Sequence, residues 1–136
     1  MPVQKLVTWL CGMVFAGLPP MVGEAAAPTV DLAVSEIIPS ATEPPKVLVI
    51  IRNLGSQPLK RAVEVELWLD DQLLGRQHLD ETLKPREPVY VEFARPVPMP
   101  PGLHNFTAKV DPDHAIRELS ETNNERDLTV WGHDAP

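Results

Sequence analysis

The chain has 136 residues, carries 12 Lys+Arg against 19 Asp+Glu for a formal charge of −7, and holds one cysteine, Cys11. An acidic balance without a basic cluster excludes nucleic acid and an anionic membrane surface as partners, because phosphate recognition needs Lys or Arg to displace counterions. With 16 Pro against 7 Gly, 43% hydrophobic and 5% aromatic residues, long helices are excluded and short strands joined by stiff turns are favoured.

The N-terminus reads as an address. Lys5 is the only charge before Glu24, and Leu6 to Leu18 is an apolar run broken only by Thr8. As a helix this run would be roughly 20 Å long, short of the roughly 30 Å hydrocarbon core, so it fits a cleaved secretory signal peptide better than a permanent span. The small residues Gly23 and Ala25 offer a cut after Ala25, and Ala25 and Ala27 one before Pro28; the first is favoured because a proline beside the cut distorts the scissile backbone, giving a signal peptide over 1–25 and a mature domain over 26–136. Cys11 follows Leu10 inside the apolar run, which argues against a lipid anchor. Removing Lys5 together with Glu24 leaves the net charge unchanged, and the mature domain has no cysteine. An exported domain of this kind is held by its core alone. About 110 residues suffice, since a chain of that size buries above ~60% of its unfolded surface.

From Thr29 onward, apolar residues recur at spacing two in short runs bounded by turn residues. The first strand is Val30 to Ile37. The second, Val47 to Arg52, stops at Asn53-Leu54-Gly55, where Asn and Gly are expected to supply the positive φ of a turn. In the third, Val63, Val65, Leu67 and Leu69 alternate with Glu64, Glu66 and Trp68, a sheet with one face on a core and one in water. Asp70-Asp71-Gln72 turns the chain into a fourth strand, Leu73 to Leu79, interrupted by Gly75. Val89, Val91 and Phe93 mark the fifth, ended by Pro96, Pro98, Pro100 and Pro101. His104, Phe106, Ala108 and Val110 share a face of the sixth, and Leu128 and Val130 a face of the seventh. Seven short strands predict an all-β, immunoglobulin-like antiparallel β-sandwich.

The most informative stretch is the polar link Asp111-Pro-Asp-His-Ala-Ile-Arg-Glu-Leu-Ser-Glu-Thr-Asn-Asn124. Pro112 presets a turn begun by Asp111, whose carboxylate accepts backbone N–H groups. Ile116 and Leu119 are placed to plug the open end of the sandwich, and Asn123 and Asn124 to take left-handed conformations before the last strand. With Asp31-Leu-Ala-Val34, Ile51-Arg-Asn-Leu-Gly55, Leu67-Trp-Leu-Asp70, Leu83-Lys-Pro85 and Pro100-Pro-Gly102, the Val110-Asp-Pro-Asp113 and Glu121-Thr-Asn-Asn-Glu125 signatures give a chain that resembles the cell-adhesion-related domain found in bacteria, CARDB. Two positions depart from the family pattern. Asp71 and Arg86 stand where the family usually has Gly, so both turns are expected to be strained or differently shaped. The resemblance implies a non-catalytic module of secreted or surface proteins, in a single free-standing copy.

Chemistry-bearing residues are sparse. Ser35, Ser40, Ser56 and Ser120 have no nucleophile elbow, there is no HExxH zinc helix, and His78, His104, His114 and His133 are scattered singly. No catalytic residue is expected. Asp111, Asp113, Glu118 and Glu121 gather four carboxylates that suit calcium, which prefers clustered oxygens; turn carboxylates satisfying backbone N–H groups are the plainer account. Leu48 and Ile50 fall opposite Val47, Val49 and Ile51, and Tyr90 opposite Val89 and Val91. If strands two and five are neighbours, they form an outer apolar patch, with Trp68 on the other sheet. Asn105-Phe106-Thr107 matches a glycosylation acceptor but lies within a strand of a chain with a bacterial resemblance, and is read as chance.

The expected function is that of an exported, non-enzymatic protein-interaction or adhesion module, secreted or periplasmic. Its partner would be an envelope or extracellular protein, and it would keep no membrane span once the signal is cut. The alternative is a calcium- or carbohydrate-binding accessory module of a separate secreted hydrolase, using Trp68, Tyr90 or Trp131 as an aromatic platform.

Overall fold

The computed structural model describes residues 29–40, 42–95 and 98–132. The signal peptide, Cys11, Pro96 and His133 lie outside the described residues. Among the described residues seven strands form: β1 (Leu32–Ser40), β2 (Lys46–Asn53), β3 (Val63–Leu69), β4 (Gln72–Leu79), β5 (Pro88–Ala94), β6 (Gly102–Val110) and β7 (Glu125–Gly132). They pair antiparallel into a three-stranded sheet, β1-β2-β5, and a four-stranded sheet, β4-β3-β6-β7. This is the expected all-β sandwich. Alternation produces it: Val47, Val49 and Ile51 of one sheet and Val63, Val65 and Leu67 of the other are all buried in one cluster, around a fully enclosed Phe106. Burying each such side chain contributes about 1.5–3 kcal/mol, the scale of stabilisation a domain described without a single cysteine depends on.

Strand β1 breaks the simple alternation. A bulge between Val34 and Glu36 shifts its register, so Ile37 joins Val34 and Leu32 in the core while Ile38 turns outward. β4 runs on through Gly75, which pairs with Leu67, but the ladder slips there, Trp68 pairing with Leu73 and leaving Leu74 unmatched; the ring of Phe93 lies 3.4 Å from where a Cβ on Gly75 would stand.

The turns follow the two departures from the family pattern. Asp70 and Asp71 take φ of 48° and 68°, and Arg86 takes 69°, the left-handed region where glycine is at ease. The β2 exit works differently from the sequence expectation, because neither Asn53 nor Gly55 has positive φ. Asn53 is instead buried as a tether. Its Oδ1 accepts from the amides of Asp31 (3.1 Å) and Gly55 (2.9 Å), while its Nδ2 donates to Gln57 O (2.7 Å) and Leu83 O (3.1 Å). Gly55 is needed for close approach, since a Cβ there would stand 2.0 Å from Thr29 O.

Candidate functional site

Two places gather the residues singled out by sequence. The first is the outer face of the three-stranded sheet. β2 and β5 are neighbours, which sets Ile50 opposite Tyr90 and Leu48 opposite Glu92; β1 on the other side sets Glu36 opposite Ile50 and Ile38 opposite Leu48. The result is a cross-strand apolar group of Ile38, Leu48, Ile50 and Tyr90. Tyr90 is 60% exposed and Leu48 half-buried, whereas Ile50 is only 7% exposed. Ile50 therefore serves as the floor of the patch rather than its rim. Leu48 also borders a hollow of about 290 Å³ beside Pro44 and the Lys46–Glu92 ion pair (3.1 Å). Ile38 was not anticipated, because only the bulge brings it to this face.

Trp68 lies on the outer face of the opposite sheet, apart from that patch. Its Nε1 donates to Glu66 Oε1 (3.1 Å), Arg76 Nε donates to Glu66 Oε2 (2.8 Å), and Lys109 Nζ sits 5.3 Å from the Trp68 ring centroid. These contacts engage the indole within its own sheet. Farther along the same face Leu103 pairs with Trp131, and both are open to solvent at 69% and 56%.

The second place is the β6–β7 loop. Asp111, at φ 52°, starts it: Oδ1 accepts from Ala115 N (2.9 Å) and Oδ2 from Ile116 N (3.0 Å), the role read from sequence. Ile116 is buried and plugs the sandwich end, but Leu119 points to solvent; its backbone N instead donates to Val30 O (2.9 Å). Glu118 is buried between β1 and β7, accepting from Leu32 N and from Asn124 Nδ2, each at 2.7 Å. Burial foremost pushes its carboxyl up to about 7, with Glu121 and Asp111 adding to the rise against the Asn124 and Leu32 hydrogen bonds. Glu121 Oε1 accepts from Asn124 Nδ2 (3.3 Å) and from His114 Nδ1 (3.1 Å). One oxygen each of Asp111, Glu118 and Glu121 falls within 4.8 Å of the others.

Asp113 is not brought into this group. Pro112 separates it from Asp111, and it lies exposed along a different hollow shared with Glu64 and His78. Asn123 and Asn124 do not take left-handed conformations. They act through their side chains: Asn123 Nδ2 reaches Asp31 Oδ1 (3.1 Å), and Asn124 reaches both glutamates. Asn124, buried at 4% exposure, lines with Asp111 and Glu121 an open cleft of about 460 Å³.

A CARDB family model matches residues 29–128. The chain belongs to the CARDB family. None of the curated proteins compared with it matches. Among solved structures, the CARDB domain of a Pyrococcus furiosus protein in complex with di-metal ions is similar at TM-score 0.63 and 24% identity, covering 78% of this chain and 90% of that one. A solution structure of the same CARDB domain gives 0.54 and 20%, over 77% and 94%. A domain of a Methanosarcina acetivorans protein gives 0.59 and 20%, over 79% and 94%. These likenesses establish the sandwich. CARDB, the cell-adhesion-related domain, is a binding and adhesion-type family associated with cell surfaces. Among the described residues, no helix is long and apolar enough to cross a membrane.

Proposed function

We propose that this chain is an exported, non-enzymatic interaction module that meets an envelope or extracellular protein through the outer face of its three-stranded sheet. The observation that carries the reading is Tyr90, more than half exposed opposite Ile50 on β2, with Leu48 diagonal to it on that strand and Ile38 beyond Leu48 on β1. An aromatic ring on a contiguous apolar group is the composition of an interface core, whereas isolated exposed apolar residues are ordinary. CARDB membership supports an adhesive role, and the charged, proline-flanked leader supports export. Two measurements test it. Protein recovered from outside the cytoplasm should begin at Ala26. Leu48→Lys/Tyr90→Lys should remain folded yet elute from sizing chromatography without the partner that accompanies the wild type. Retention in the cytosol with the leader uncut, or an unchanged partner, defeats the reading.

A second reading, a carbohydrate-binding accessory module, draws on the exposed Leu103–Trp131 pair, where an indole face is available for stacking on a sugar ring. Co-sedimentation with insoluble polysaccharide that is lost in Trp131→Ala supports it. No co-sedimentation rejects it.

A further inference from the structure

We propose that His104 is a proton-operated latch: as the imidazolium it pins the proline strap ahead of β6 to the β3–β4 turn, and as the neutral ring it releases the strap. This goes beyond the interaction reading and does not depend on it.

His104 lies near the start of β6, at the end of the sandwich away from the β6–β7 loop. Its Nδ1 is 2.6 Å from Asp70 Oδ2 and its Nε2 is 2.7 Å from Pro100 O. Both partners are acceptors. The hydrogen bond from His104, and after it the Asn105 amide, hold the Asp70 carboxyl below its ordinary range, so that carboxylate has no proton to give. A neutral imidazole carries one N–H and satisfies one of the two contacts, whereas the imidazolium carries two and satisfies both. Burial works the other way, since the His104 side chain is only 15% exposed and a dry site disfavours the charged ring. The two acceptors are therefore what holds the second proton.

The strap, residues 98–101, forms one wall of a hollow of about 640 Å³ whose other wall is Leu73 and Leu74 of β4. Among the described residues lining that hollow, Asp70 is the one charged group besides His104. From β7, Gly132 faces the ring without a side chain, and it has to: a Cβ there would stand 2.8 Å from His104 Cδ2 and 2.4 Å from Pro100 O. The sequence continues into His133 and Asp134, which lie outside the described residues.

Asp70 is the fixed side of the latch, because its Oδ1 also accepts from Asn105 N at 2.8 Å. A hydrogen bond to a carboxylate is stronger than one to a neutral carbonyl, so the neutral ring keeps its proton on Nδ1 and turns the Nε2 lone pair toward Pro100 O. Two lone pairs at 2.7 Å repel, and the strap yields. Met99, buried in the core, anchors it, while Gly102 at φ 130° is the joint between strap and β6. Release is thus confined to residues 100–102 and widens the hollow. The latch is closed below the ordinary histidine value of about 6.5 and opens as pH rises through the higher value of the folded protein.

The test is an NMR titration of the full chain from about pH 5 to about pH 9, following the histidine rings and the backbone amides, with His104 assigned through its own backbone. His104 should titrate above about 6.5, with both ring nitrogens protonated at the acid end, and the Met99 and Gly102 amides should shift with the same midpoint. Asp70→Asn separates a latch from an ordinary ion pair. Asparagine accepts the φ of 48° at this position, still offers Oδ1 to Asn105 N, and donates from Nδ2 to Nδ1 of the neutral ring, which then keeps Nε2–H on Pro100 O. In that variant the His104 midpoint should fall to about 6.5 or below and the Met99 and Gly102 shifts should vanish. A wild-type midpoint at or below about 6.5, strap amides that do not follow His104, or amide shifts unchanged in a folded Asp70→Asn would overturn the proposal. The wild-type titration decides by itself if the variant fails to fold.

Discussion

The backbone amide of Leu32 donates to Glu118 Oε1 at 2.7 Å, joining β1 to the β6–β7 loop across 86 residues of chain. The other oxygen of the same carboxylate takes Asn124 Nδ2 at the entry to β7. One buried glutamate thus ties the first strand, the loop and the last strand together. The backbone repeats the tie, with Val34 N donating to Asn123 O (3.1 Å) and Val110 N to Asn124 O (2.8 Å). The most specific part of the sequence signature is therefore a closure for one end of the sandwich.

That closure has a pH signature. Glu118 lies at about 7 when folded against an ordinary 4.5, so the folded state holds its proton more tightly than the unfolded state does. Its contribution to stability is present in full below about 4.5 and is lost as pH rises through about 7. Urea unfolding across this window should show the wild type losing stability relative to Glu118→Gln. Parallel profiles for the two proteins would refute a proton-linked closure.

Arg86 and Asp71 predict an unequal pair of gains. Arg86 N donates to Asn53 O (2.7 Å) and its carbonyl accepts from Arg52 Nη1 (3.0 Å), so its contacts are made by backbone that glycine retains. Relieving a left-handed conformation in an L-residue is worth roughly 1–2 kcal/mol, offset in part by the extra freedom glycine gives the unfolded chain. Arg86→Gly should stabilise by about 1 kcal/mol in denaturant titration, and Asp71→Gly by less, because Asp tolerates this region better.

The β2 exit should be intolerant. Asn53→Ala removes the side-chain partner of the Asp31 and Gly55 amides and of the Gln57 carbonyl, while Leu83 O keeps Leu59 N; at about 1–3 kcal/mol for a buried group left unsatisfied, a loss of about 2–4 kcal/mol is expected. Gly55→Ala should be destabilising as well, since the added carbon meets the Thr29 carbonyl rather than a yielding side chain. Midpoints near wild type for both would show that the tether is dispensable.

Much of the fold was legible because period-two alternation has one physical meaning. Val63, Val65, Leu67 and Leu69 bury their aliphatics on one face as the alternation predicts, but the other face is not open to water: Glu66 is buried under its bonds to Trp68 and Arg76. The turn departures at Asp71 and Arg86 were also readable, since both positions take the conformation glycine would have supplied. What escaped depends on contacts distant in sequence. No local pattern marks the bulge that sends Ile38 outward, and the solvent-exposed character assigned to Ile50 fails because Tyr90 and Glu36 flank it from neighbouring strands. Asn53 looked like a turn residue, yet its role is set by Leu83 and Asp31. Of the four acidic candidates, Asp113 could not be separated from Asp111 by spacing alone. Asn124 reads in the sequence as a left-handed turn residue, whereas its place in the structure is set by side-chain bonds to Glu118 and Glu121.

The central claim, that the face around Tyr90 is where this module meets a protein, is tested most directly by site-specific photo-crosslinking in native cells. A photoreactive residue at position 90 should yield one discrete protein adduct that disappears with Leu48→Lys, while the same residue at position 127, on the opposite sheet, yields none. No adduct from position 90, or the same adducts from both positions, would contradict the account.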